Sequence, residues 1–80
     1  MPSTQSPQDI ALATSAAADA ITVQANAQQS SQLHFQGYYA HTAAAAAWNA
    51  VGTNTAKSVA STAQAGTHLT SANALKAAGK

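Results

Sequence analysis

Ala43-Ala44-Ala45-Ala46-Ala47 is an unbroken run of five alanines, in a chain of 80 residues that is more than a quarter alanine. Alanine has the most favourable intrinsic helix propensity, so the run reads as helix. One methyl group has little surface to bury, so such a helix cannot hold itself in an oily core. It can let a second helix approach very closely. The run therefore predicts an all-α chain, built from one or two long Ala-rich helices (a hairpin or a bent helix) that need neighbours to pack against.

Composition supports this outside the run. Hydrophobic residues make up 46% of the chain, but most of that is alanine. The large aliphatics are sparse: Ile10, Leu12, Ile21, Val23, Leu33, Val51, Val59, Leu69 and Leu75. A domain this short buries only about 60% of its unfolded surface even with good core residues, and without cysteine no disulfide can help. The sequence thus predicts completion against identical copies rather than a self-sufficient monomer. Charged residues are 6% and the formal net charge is +1, where disordered chains combine low hydrophobicity with high charge. A near-neutral surface promotes association. Three lysines, no arginine and no basic stripe argue against nucleic acid. No apolar stretch reaches the roughly 20 residues of a membrane span, so no stable membrane insertion is expected. The start, Met1 to Asp9, has no basic region ahead of an apolar one, so export would use a route without a cleaved signal.

Along the chain, residues 1–6 read as a flexible polar segment and 7–80 as a single helical, filament-forming domain. Ser6-Pro7-Gln8-Asp9 is a helix start: Ser6 caps, Pro7 suits the first helical position, and Asp9 follows three after the cap. Ile10, Ala13, Ala17 and Ile21 form one apolar row, and Leu12, Ala16, Ala20, Val23 and Ala27 a second, adjoining one. Gln28 to Gln32 is polar, either a frayed joint or a solvated helical turn. Gly37 weakens helix without ending it. Gly52-Thr53-Asn54 is the expected break, with Thr53 or Asn54 capping the helix that follows. Small residues four apart recur, as at Ala13 and Ala17 or Ala56 and Ala60, a spacing that lets helix backbones come close.

Catalytic chemistry is absent from the pattern. Asp9 reads as a capping residue and Asp19 as a solvated or intersubunit charge, so no carboxylate pair exists. No Gly-x-Ser-x-Gly, phosphate loop or cofactor motif occurs, and the chain is expected to be neither an enzyme nor a cofactor protein. His34 and His41 are seven apart and His68 is remote in sequence, so they read as surface or interface histidines rather than metal ligands; titrating between about pH 5 and 7, they would make assembly pH-sensitive. The aromatics Phe35, Tyr38, Tyr39 and Trp48 read either as the core of a helix pair or as anchors at a subunit interface, together with Val51, Val59 and Leu69.

In this layout the chain resembles the Hrp-type pilins of type III secretion systems in plant-associated bacteria: a polar start (Met1 to Gln8), a Gln- and Asn-rich helix (Gln24 to Gln36), and a small-residue C-terminal helix (Ala56 to Ala78). Unlike the related needle proteins, it has no proline after Pro7. The family has no fixed motif, so no residue role is carried over. The resemblance implies a secreted, extracellular appendage, a homopolymeric tube exported by its own secretion apparatus and passing unfolded effector proteins. On that reading Thr62, Gln64, Thr67, Ser71 and Asn73 would line a neutral polar lumen, and a repeated non-closing contact would generate the filament. A discrete dimerising helical module and an Ala-rich ice-binding helix are the competing readings. A filamentous-phage coat protein shares the acid-first, lysine-last polarity but needs a membrane-spanning segment.

Overall fold

The computed structural model of the chain describes residues 5–52 and 55–80. Three helices account for nearly all of them: α1 over Pro7–Gln28, α2 over Ser31–Val51 and α3 over Thr55–Ala77. The expectation of one or two helices is corrected to three. The extra break falls in the polar joint after Gln28, where two devices coincide. Gln29 takes the left-handed conformation (φ 49°, ψ 47°), and Ser30 caps α2 by accepting from Leu33 N–H at 3.4 Å. A left-handed residue turns the chain out of the helix, and a serine just beyond it satisfies a free N–H of the next one.

The other ends follow from local chemistry. Ser6 Oγ accepts from Asp9 N–H (3.1 Å) while Asp9 Oδ2 accepts from Ser6 N–H (3.4 Å), a reciprocal capping box with Pro7 at the first helical position. Helix α2 stops at Val51 and Gly52 takes φ 87°, a conformation glycine adopts without steric cost. The expected caps Thr53 and Asn54 lie outside the described residues, as do residues 1–4 of the expected polar tail. At the end of α3, Lys80 C=O accepts from Ser31 N–H at 3.2 Å, so the C-terminus meets the start of α2.

The helices run antiparallel. Trp48 pairs with Ser15 and His41 with Thr22, whereas His34 pairs with His68 and Trp48 lies under Lys57. Helix α2 is central: α1 and α3 each pack on it and scarcely touch one another. The Cα envelope measures 49 × 27 × 13 Å. A closed triangular bundle would have two similar short axes; here they differ twofold, so α1 and α3 are splayed over one side of α2.

The buried positions explain the packing. On α2 they include His34, Gly37, His41, Ala44 and Trp48, and on α3 they are Ser58, Ser61, Ala65, His68 and Ala72. Both series step by three and four, the spacing of a coiled-coil seam. On α1 the fully buried residues are Ala11, Ala18 and Ala25, one every seven. Apart from Trp48, the seam is made of Ala, Ser, Gly and His where a common bundle would place Leu, and residues this small let helix axes approach the short end of the usual 8–10 Å. The close approach expected of alanine is thus used within the chain. Bulk goes elsewhere: Ile10, Leu12, Val23, Tyr39 and Val59 are all exposed, Val23 to 70%. Of the two apolar rows read on α1, neither is the buried one.

Candidate functional site

Three helices converge on three imidazoles and one hydroxyl. His34, His41 and His68 are all buried, His41 to 2% exposure. Thr22 Oγ1 lies 2.8 Å from His41 Nε2 and 2.8 Å from His68 Nε2, and His34 Nδ1 lies 2.8 Å from His68 Nδ1. The Thr22 hydroxyl also donates to Ala18 C=O at 3.1 Å. The rings of His41 and His68 stack, with centroids 5.2 Å apart and planes 17° apart; His34 and His68 are tilted by 44° at 5.0 Å. His68 is therefore the hub, bonded to α1 through Thr22 and to α2 through His34.

The donor count of this network closes. A hydroxyl donates one hydrogen bond and accepts two, and a neutral imidazole donates one and accepts one. With Thr22 donating to Ala18, both histidine Nε2 atoms donate to Thr22. His68 Nδ1 is then a bare acceptor, and His34 Nδ1–H donates to it. These tautomers are assigned from the bonding pattern. Every short contact becomes a proper hydrogen bond with no net charge, which is the condition for burying polar groups among alanines. Burial pushes His68 below the ordinary histidine range, and positive charge on His34 or His41 would push it further. Burial lowers His41 too, against a smaller opposing pull from the Asp19 carboxylate.

Gly37 makes room for the hub. A Cβ at this position would stand 2.8 Å from His68 Cγ and Nδ1. One turn from Gly37, His34 and His41 flank the place where the His68 ring lies.

The splay of α1 and α3 leaves a groove over the same residues. At its centre is a hollow of about 140 Å³ lined by Thr22, Asn26, His34, Gln64, Thr67, His68 and Ser71. Towards one end it shares Asn26, His34 and Ser71 with a hollow of about 340 Å³. Towards the other it shares Gln64 with one of about 270 Å³ whose lining includes Leu12, Asp19, His41, Trp48 and Lys57. There Trp48 is 3% exposed, donates Nε1–H to Ser15 Oγ at 2.7 Å, and carries Lys57 Nζ 4.4 Å above its ring. The groove is walled by hydroxyls and amides and floored by His and Trp.

Of the residues expected to line a lumen, Gln64, Thr67 and Ser71 stand together in this groove. Thr62 and Asn73 are exposed but lie about half a turn away around α3, at 100° per residue. Of the expected interface residues, Trp48 is spent within the chain, because its indole N–H finds a partner on α1. Phe35 and Tyr38 are half-buried and Tyr39 is exposed, the two tyrosine rings meeting edge to face at 5.2 Å. Val51 and Leu69 are half-buried and Val59 is exposed. The histidines read as surface groups are instead the middle of the fold. His68 is remote only in sequence, because antiparallel α2 and α3 return it to His34. The missed signal was the shared seam spacing of His34, Gly37 and His41 with Ser61, Ala65 and His68. Among the described residues, no group of three metal-ligating side chains is placed to hold a metal ion; the nitrogens bond to one another and to Thr22 instead. No described helix is long and apolar enough to cross a membrane. Comparison with protein-family models, characterised proteins and solved structures finds no match to this chain.

Proposed function

We propose that this protein is a non-enzymatic structural subunit that completes its packing against identical copies and builds a helical filament. The observation that carries the reading is the row Leu12, Ala16, Ala20, Val23 and Ala27. These residues step along one side of α1 by threes and fours, and every one of them is exposed. An apolar helix stripe is normally covered. A second copy is the occupant that suits it: three of its five residues are alanines, the residue type that already seats α1 on α2, and the formal net charge of +1 offers little repulsion between copies. Both acids lie on α1, and the three lysines lie on α3 (Lys57 and Lys76) or just beyond its end (Lys80), so copies related head to tail would bring opposite charges together.

The finer reading is a secreted pilin whose filament conducts effector proteins exported by a type III apparatus. It rests on the resemblance in layout and on the neutral polar wall of Gln64, Thr67 and Ser71, which would offer a passing chain little to grip.

Sedimentation velocity across a hundredfold concentration range, with negative-stain microscopy of the concentrated sample, tests self-assembly. Polymer that grows with concentration is expected, and the pair Leu12→Lys and Val23→Lys should abolish it while leaving the helical circular dichroism signal in place. A discrete small oligomer, or polymer indifferent to both lysines, removes the proposal.

A further inference from the structure

The hydrogen-bond count at the hub has a consequence for acid. Start from the neutral network, with His34 Nδ1–H donating to His68 Nδ1 across 2.8 Å. A first proton can be taken by His34 at Nε2, a nitrogen with no role in the network, and the Nδ1–H to Nδ1 bond survives. It can equally sit on His68 at Nδ1, provided His34 changes tautomer and offers Nδ1 as acceptor. Either way one proton is accommodated, and both His68 contacts persist. A second proton on the pair is different in kind. Each Nδ1 would then carry hydrogen, and two donors would face each other at hydrogen-bond distance. No tautomer removes that conflict, so the rings must part.

We propose that His34 and His68 form an acid-operated latch, holding one proton with all three helices closed and opening the groove between α1 and α3 when a second arrives. The fold concentrates the effect. Among the described residues, Thr22 to His68 is the only side-chain hydrogen bond joining α1 to α3. The His34–His68 pair is likewise the only one joining α2 to α3. Displacing one ring therefore loosens α3 from α2 and from α1 together. Alanine seams offer little apolar area to resist this.

Few other charges act on the hub. His41 stacks on His68 from α2, so its protonation opposes a charge on the hub. Asp19 of α1 acts on His41 and shares its hollow with Lys57 of α3. No other charged or titratable side chain lines the groove. Ordinary carboxylates protonate near pH 4, below the range in which histidines respond.

Trp48 is the only tryptophan, and its indole rests in the groove against Ser15, so its fluorescence reports opening. The experiment is a titration of the dilute full chain from pH 8 to 4.5, following Trp48 emission and helicity. A red shift is expected below pH 6.5 with a steepness near one proton, since the closed latch already holds the first, while helicity is largely retained. His34→Gln should lower the midpoint by at least half a pH unit, because a glutamine amide can either donate to His68 Nδ1 or accept from it, so no donor–donor conflict arises. An unshifted emission, or a Gln variant that opens like the parent, overturns the proposal. If the variant does not fold, imidazole ¹⁵N shifts of the parent decide. His34 and His68 must move together over the first proton; three independent titrations near pH 6.5 overturn the latch. The transition is intramolecular and must appear at concentrations where no polymer forms, so failed assembly and a failed latch are told apart.

Discussion

The backbone of Gly37 on α2 lies against the imidazole of His68 on α3, so close that a methyl group at Gly37 would stand 2.8 Å from ring atoms Cγ and Nδ1 and 2.9 Å from Cδ2. The glycine that looks like a flaw in a helix is the recess into which the hub of the fold fits. Helix propensity alone says that alanine at this position should stabilise by up to about 1 kcal/mol. The contact says the reverse, because the ring is buried, hydrogen-bonded at both ends and cannot retreat without breaking Thr22 or His34. Overpacking of a filled site costs about 1–3 kcal/mol. Gly37→Ala should therefore lower unfolding free energy in urea by about 1–2 kcal/mol. Gly66 in α3 is the internal control: a Cβ there meets nothing within 4 Å, so Gly66→Ala should raise stability by up to about 1 kcal/mol. Equal effects of the two substitutions would show that the ring does not set the sign at Gly37.

Gln29 is the only described non-glycine residue with positive φ, at 49°. An L-residue pays about 1–2 kcal/mol for the left-handed conformation, and here nothing but the turn between α1 and α2 demands it. Gln29→Gly should raise the urea midpoint, by a net stabilisation of about 0.5–1 kcal/mol once glycine's greater freedom in the unfolded chain is subtracted. Gln29→Val should lower it, since a β-branched residue tolerates this conformation worst. A midpoint unmoved by glycine would mean that the joint is not held in this geometry in solution.

Acid should weaken the fold through His41 and His68. Both are held below their ordinary value of 6.5, chiefly by burial. A group whose folded value is depressed binds protons more readily in the unfolded chain. Its contribution is therefore fully present above pH 6.5 and is lost as pH falls from 6.5 through the folded value. Urea midpoints at pH 7.5, 6.5 and 5.5 should fall in that order. Asp19 opposes the depression at His41, so Asp19→Asn should widen the gap and deepen the loss at pH 5.5. At pH 7.5 the same exposed substitution should stay within about 0.5 kcal/mol. A midpoint that rises on acidification would contradict the burial of these rings.

Particular residues show how much of this could be read in advance. Ser6, Pro7 and Asp9 announced the start of α1, because capping is decided within four residues. Gly52 marked a stop for the same reason. Gln29 carried no such signal, since its left-handed turn depends on the helices on both sides finding partners, and so a third helix was missed. The all-α class followed from alanine content, but which alanines are buried did not. Ile10, Leu12 and Val23 outrank Ala11, Ala18 and Ala25 on any hydrophobicity scale, yet the chain buries the alanines because only they let the helices come close. The histidine hub was hidden by the habit of looking for ligands three or four apart on one helix. His68 joins His34 through antiparallel pairing across 34 positions, which no local spacing encodes.

The preference for small residues at the seam can be tested with one substitution made at two places. Ala18 is fully buried between α1 and α2, and Ala20, less than a turn away on the same helix, is exposed. Leucine and alanine have nearly equal helix propensity, so local structure should be indifferent to the exchange at either position. Ala20→Leu adds surface to the exposed stripe and should leave the urea midpoint within the range of about 0.5 kcal/mol typical of surface changes. If that stripe receives a second copy, it should also shift the concentration at which sedimentation detects larger species. Ala18→Leu inserts three carbons at a position with no exposed surface, and it should push α1 away from α2. That separation carries Thr22 from His41 and Ser15 from Trp48, so the cost of about 1–3 kcal/mol for overpacking should come with a red-shifted Trp48 emission already at pH 7.5. Leucine at 18 that stabilises the chain without moving that emission would mean that α1 and α2 are not held together by their smallest residues.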